Sequence, residues 1–179
     1  GLLGEAVEIV NLFVPKDQLV VSTKSNIKEY NSLFVTRKQP LSIDIPIVVL
    51  INERSASASE IVAGALQDFD RAVVLGKRSF GKGLVQQPKP LPYGAQIKIT
   101  ISRYYTPSGR CIQALNYGKR KESGKAEKYD FDKESFLTKN GRTVYGGGGV
   151  EPDVYTEEEH SFNIISALRK KSLFFTYAV

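Results

Sequence analysis

The chain has 179 residues, of which 41% are hydrophobic and 25% charged, a length and balance suited to one globular domain with a substantial core. No stretch approaches the ~20 apolar residues of a membrane span, and the single Cys111 leaves neither an internal disulfide nor a cysteine-rich zinc site. The net charge of +6 would suit an anionic partner. Yet no window interleaves clustered Lys and Arg with aromatic residues, so the charge reads as a solvated basic surface and no nucleic acid is implied.

Residues 5–13 carry Ala6, Ile9, Val10 and Phe13 at helical spacing, and Pro15 ends the pattern. Residues 19–23 read as a strand, 25–39 as a polar stretch with a weaker strand at 33–36. Pro40 and Pro46 frame a connection into residues 47–51, a β-branched run that reads as a buried strand. Next comes Asn52-Glu53-Arg54-Ser55-Ala56-Ser57-Ala58-Ser59-Glu60, then a helix predicted from Ser59 to about Asp68. Residues 72–75 form another strand, ended by Gly76. After the turn at Tyr93-Gly94, Ile97, Ile99 and Ile101 alternate with Lys98, Thr100 and Ser102, the period of a strand with one wet face. Cys111 follows the turn 106–109 in an apparent strand, as a small packed residue. Residues 116–140, rich in Lys, Glu, Gly and Asp, read as an exposed loop within a polar excursion over about 116–142. Gly146 to Gly149 make a backbone turn. From His160, the residues Phe162, Ile165, Leu168 and Arg169 predict a final amphipathic helix. No internal repeat is visible.

Chemistry concentrates where the strand 47–51 turns into a helix. The first helical amides are unbonded and the dipole favours negative charge there, so a serine can attack a carbonyl while nearby amides hold the oxyanion. Physics alone does not choose among Ser55, Ser57 and Ser59, each of which could instead cap the helix. Glu60 suits the first turn. Lys82 lies between Gly81 and Gly83, which allow close backbone approach. To act as a base its amine must be neutral, which burial favours. Gln86, four residues on, falls on the same side as Lys82 in either a helix or a strand, where its amide can orient the lysine. Residues 76–82 mimic the start of a phosphate-binding loop, but Gly83 stands where Ser or Thr would hold magnesium and no helix follows. His160, the only histidine, follows three glutamates at a helix start and reads as a solvated end. No metal-spaced cluster is present.

The run Ser55-Ala56-Ser57-Ala58-Ser59-Glu60 and the segment Gly81-Lys82-Gly83-Leu84-Val85-Gln86 together resemble the C-terminal processing (tail-specific) peptidases, serine peptidases with a Ser-Lys pair. The resemblance extends to Gly1-Leu2-Leu3, to residues 106–110 and to residues 149–154. It implies Ser57 as nucleophile, Lys82 as general base and Gln86 as the assisting amide. Ala58 and Gly1 then supply the oxyanion N–H groups. An α/β, crotonase-like (ClpP/crotonase) core of β-β-α units follows, with no metal or cofactor and with protein or peptide substrates bearing unstructured C-termini. The family's usual upstream PDZ domain has no counterpart here, and the abrupt start at Gly1 in a chain without methionine reads as a catalytic-core fragment. By resemblance alone the parent protein is exported, in the periplasm, cell envelope or thylakoid lumen, and is membrane-associated or membrane-anchored. The competing readings are a crotonase-like acyl-CoA enzyme or ligand-binding relative, and a scaffold with a dead site.

Overall fold

The computed structural model describes residues 1–120, 126–128, 134–157 and 163–178. The first helix, α1 (Leu3–Asn11), turns Ala6, Val7 and Val10 inward. It starts two residues before the apolar pattern and stops at Asn11, whose side chain is taken up elsewhere. The Asn11 amide donates to the Lys38 carbonyl at 2.7 Å and accepts from the Arg37 and Lys38 N–H groups at 2.9 Å. That clamp fixes the polar segment before the site strand.

Two sheets flank the core. Strands β1 (Leu19–Lys24), β2 (Ser32–Val35), β5 (Leu84–Pro90) and β6 (Gln96–Tyr105) form an antiparallel sheet in the order β2-β1-β6-β5. Strands β3 (Val48–Ile51), β4 (Val73–Gly76) and β11 (Val154–Tyr155) form a parallel sheet in the order β11-β4-β3. Helix α2 (Ala58–Asp68) connects β3 to β4, as a parallel pair requires. Ile61, Ala63, Ala65 and Leu66 of α2 pack with Val10 of α1, Val20 and Val21 of β1, Val74 of β4 and Tyr104 of β6 in one cluster. The small residues Ala63, Gly64 and Ala65 let α2 sit close to its neighbours; a Cβ on Gly64 would stand 3.1 Å from the Thr106 methyl.

The excursion is more ordered than its composition suggests. It contains two antiparallel hairpins, β7 (Leu115–Arg120) with β8 (Ala126–Lys128), and β9 (Ser135–Leu137) with β10 (Thr143–Tyr145). The second is bound to the end of α2: Lys139 N–H donates to the Asp68 carbonyl at 2.7 Å, and Asp70 accepts from Asn140 N–H at 2.7 Å and from Arg142 Nε at 2.6 Å. Cys111 lies outside the named strands and makes a single bridge to Tyr105. The terminal helix resolves into α3 (Asn163–Lys170) and α4 (Leu173–Ala178); His160 and Phe162 lie outside the described residues.

Candidate active site

Ser57 occupies the junction between β3 and α2 with φ 60° and ψ −117°. A positive φ is costly for a serine, and the fold imposes it between the strand end at Ile51 and the helix start at Ala58. Ser57 is therefore the N-cap residue, and Ser59, a candidate cap by sequence, lies inside the helix. The Ala58 N–H is one of the unbonded amides of the first turn. Gly1 lies against it, so close that a Cβ on Gly1 would stand 2.6 Å from the Ala58 Cβ.

Lys82 arrives on a glycine-flanked segment pressed between two others, but the residue itself is exposed, so the burial expected from the sequence is not found here. Gly81, at φ +86°, would with a Cβ stand 2.5 Å from the Ala114 Cβ, and Gly83 likewise 2.8 Å from the Gln113 N. The Ala114 N–H donates to the Gly81 carbonyl at 2.9 Å and the Gln113 amide oxygen accepts from Gly83 N–H at 2.7 Å. Residues 84–90 are strand β5, not helix, so the phosphate-loop likeness ends there. Gln86 lies on that strand opposite Thr100 of β6, at an irregularity between Val85 and Gln86. Its amide donates to the Thr100 hydroxyl at 3.5 Å.

These segments meet around a cavity of about 330 Å³ lined by Ser57, Ala58, Lys82, Gln86, Gly1 and Tyr104 among others, with Leu3, Ile61, Leu84 and Val85 as its apolar wall and Lys98 at its side. A second cavity of about 260 Å³ adjoins Lys82 and Gln86 from the other side, walled by Phe80, Leu115 and Tyr117. Every residue singled out from the sequence as a catalytic or oxyanion group faces the first cavity. Among the described residues no hydrogen bond joins the Lys82 amine to Ser57 or to Gln86; such bonds commonly tighten only around substrate.

Two residues at the heart of the site were not singled out from the sequence. Glu60 has no exposed surface. Its carboxylate accepts from Ser57 N–H at 2.8 Å, Lys82 N–H at 2.9 Å, Gly81 N–H at 2.7 Å and the Ser79 hydroxyl at 2.5 Å. One carboxylate thus ties the Ser57 segment to the Lys82 segment. The pattern Ser57-x-x-Glu60 matches a capping box, and the charge of Glu60 suits the first helical turn, but neither signal carries its burial. The second residue is Tyr104, whose hydroxyl donates to the Lys82 carbonyl. Burial pushes the Tyr104 phenol far above its ordinary value; the Glu60 carboxylate adds to this and a hydrogen bond with Ser57 opposes it. It stays protonated and can donate. Between them, Glu60 and Tyr104 hold both polar ends of the Lys82 backbone.

Behind the site the turn at Gly146 to Gly149 closes over the same segment. Val150 N–H donates to the Ser79 hydroxyl at 2.6 Å, and a Cβ on Gly149 would stand 2.5 Å from the Ser79 carbonyl oxygen. Deeper still, Arg110 pairs with Asp68 at 2.8 Å and donates to the Gln67 amide at 2.7 Å, with both ionic side chains buried.

Residues 1–118 match peptidase family S41. The chain is 45% identical over 115 residues to a carboxy-terminal-processing protease of Bartonella bacilliformis, covering 64% of this chain and 26% of that protein. It is 43% identical over 117 residues to a carboxyl-terminal-processing protease of Picosynechococcus sp., covering 64% of this chain and 27% of that one. The chain therefore spans about a quarter of the length of these curated relatives. Among solved structures, the photosystem II D1 C-terminal processing protease superposes with a TM-score of 0.62 at 27% identity, over 88% of this chain and 32% of that chain.

Proposed function

Because this chain belongs to peptidase family S41, we propose that it is the catalytic core of a serine endopeptidase that cuts protein chains near unstructured C-termini. The observation that carries this reading is the single cavity lined by Ser57, Ala58, Lys82, Gln86 and Gly1, with Ser57 strained at a helix N-terminus. On this reading the core is crotonase-like, and the protein works in the cell envelope.

Ser57 Oγ attacks the scissile carbonyl while its proton passes to the Lys82 amine, which acts as the base. The negative oxygen of the tetrahedral adduct accepts from the Ala58 N–H and from the Gly1 nitrogen, donors fixed before the reaction begins. The C–N bond then breaks, and the Lys82 ammonium gives its proton to the leaving amine. A water next attacks the acyl-enzyme ester and passes a proton to Lys82. Ser57 recovers its hydrogen and the new carboxyl end leaves. Gln86 orients the lysine amine, Glu60 and Tyr104 hold its backbone, and Leu3, Ile61, Leu84 and Val85 form the apolar part of the cavity wall.

The test is cleavage of an unstructured protein tail by the full-length protein. Ser57→Ala and Lys82→Ala each abolish cleavage while the fold persists, and the double variant is little worse than either alone, since the two act as one unit. Lys82→Arg is as inactive as Lys82→Ala, because a guanidinium does not give up its proton in this range. An active Lys82→Arg enzyme would show that positive charge, not basicity, is what the site uses.

A further inference from the structure

The catalytic cavity holds a cation that the proposed chemistry does not use. Lys98 stands on β6 opposite Pro88 of β5, two positions from Thr100, which faces Gln86. It lines the same cavity as Ser57, Lys82 and Gln86. Among the described residues no acid lines that cavity, and none makes an ion pair or hydrogen bond with Lys98. The nearest buried carboxylate, Glu60, is taken up by its four donors. Leu3, Ile61, Leu84 and Val85 form the apolar part of the wall. An ammonium in such a place finds its counter-charge in whatever enters. Lys98 is itself exposed, so a neighbouring anion gains a charge-assisted hydrogen bond of the modest strength of an exposed pair.

We propose that Lys98 is a specificity residue that selects substrates carrying a carboxylate close to the scissile bond. Both lysines line one cavity of about 330 Å³, and the edge of a cube of that volume, about 7 Å, is crossed by an extended chain in about two residues. The carboxylate therefore lies within about two residues of the bond that is cut. Two sources carry this chemistry: the free C-terminus of a very short tail, or an Asp or Glu side chain beside the cleavage point. The inference rests on the peptidase reading above and adds its substrate class.

The experiment uses the full-length protein and a set of matched peptides. One pair ends, two residues after the scissile bond, in a free acid or an amide. A second, longer pair carries Glu or Gln at that same place. The wild type favours the carboxylate member of at least one pair by about threefold, in KM rather than in kcat, and the pair that shows the preference identifies the source. Lys98→Gln brings that ratio to about one, Lys98→Arg retains it and Lys98→Glu reverses it. The same ratios are read as Kd by fluorescence anisotropy with Ser57→Ala, so the result does not depend on turnover. Equal ratios in the wild type and Lys98→Gln overturn the inference and leave the peptidase reading intact. Cleavage that persists in Ser57→Ala overturns the peptidase reading instead.

Discussion

Individual residues in this site act through backbone more than through side-chain contact with one another. Ser57 and Lys82 are 25 positions apart in sequence, and their main-chain N–H groups share the Glu60 carboxylate. In Glu60→Gln, one acceptor oxygen becomes an NH2 that faces N–H and O–H donors. Leaving such donors unpaired in the interior costs about 2–3 kcal/mol of stability. A shift of the order of an ångström between nucleophile and base costs turnover about a hundredfold. The expected outcome is a folded variant by circular dichroism, with a lowered denaturation midpoint and kcat down about a hundredfold. Full activity would show that the two segments are held in place by packing alone. The residues with a local signature were legible from the chain itself: the serine run, the glycine-flanked lysine, and Gln86 four positions on. Tyr104 was not, because its bond to the Lys82 carbonyl spans 22 positions and joins different elements. Lys98 reads in sequence only as a residue on the wet face of an alternating strand.

At the scale of elements, the helices and most strands around the site follow their patterns; on β6 the alternation predicts a dry face, yet Ile97 and Ile99 are exposed and burial begins only toward Ser102 and Tyr104. Helix α2 begins at Ala58 rather than Ser59 because Ser57 takes the capping position itself. The hairpins β7–β8 and β9–β10 were hidden by charge, since strands this exposed lack the apolar alternation that marks a buried face. What fixes β9–β10 is a polar attachment no pattern reveals. Arg142 bridges Asp70 at 2.6 Å and Asp153 at 2.5 Å, which links the hairpin to the end of α2 and to the start of β11. Burial by itself would raise the Asp70 carboxyl; hydrogen bonds from Arg142, Asn140 and Thr138, with the Arg142 charge, outweigh it and hold the group below its ordinary 3.8. A carboxyl depressed in the folded state adds stability above the unfolded value, and that stability is lost as pH falls through the folded value. Asp70→Asn therefore costs about 1 kcal/mol at neutral pH. The gap between variant and wild type closes as pH falls below 3.8 and through the lowered folded value, as followed by urea unfolding at each pH. A gap that stays constant into acid would mean that the shape of the side chain matters and its charge does not.

Over the whole molecule, the layers are asymmetric. The parallel sheet carries α2 on one face only. Register places Val48 beside Val73 and Leu50 beside Leu75, with Val154 next to Leu75, all on the opposite face. Val48, Leu50, Val73 and Val154 are exposed there, although parallel strands are ordinarily covered on both sides. The continuous apolar run 47–51 predicts a strand buried on both faces, and sequence alone does not tell two buried faces from an apolar face left open. Neighbouring positions on β3 separate the two cases. Leu50 is 72% exposed and Ile51 is 7% exposed. In the 179-residue chain, Leu50→Lys is a surface change worth less than about 0.5 kcal/mol. It also breaks an apolar patch, so the solubility limit rises. Ile51→Lys drives an ammonium into the core beside α2 and costs about 3 kcal/mol or more. Urea unfolding of both variants measures the difference. If Leu50→Lys proves as damaging as Ile51→Lys, the outer face of the parallel sheet is covered in solution and the layer order described above is incomplete.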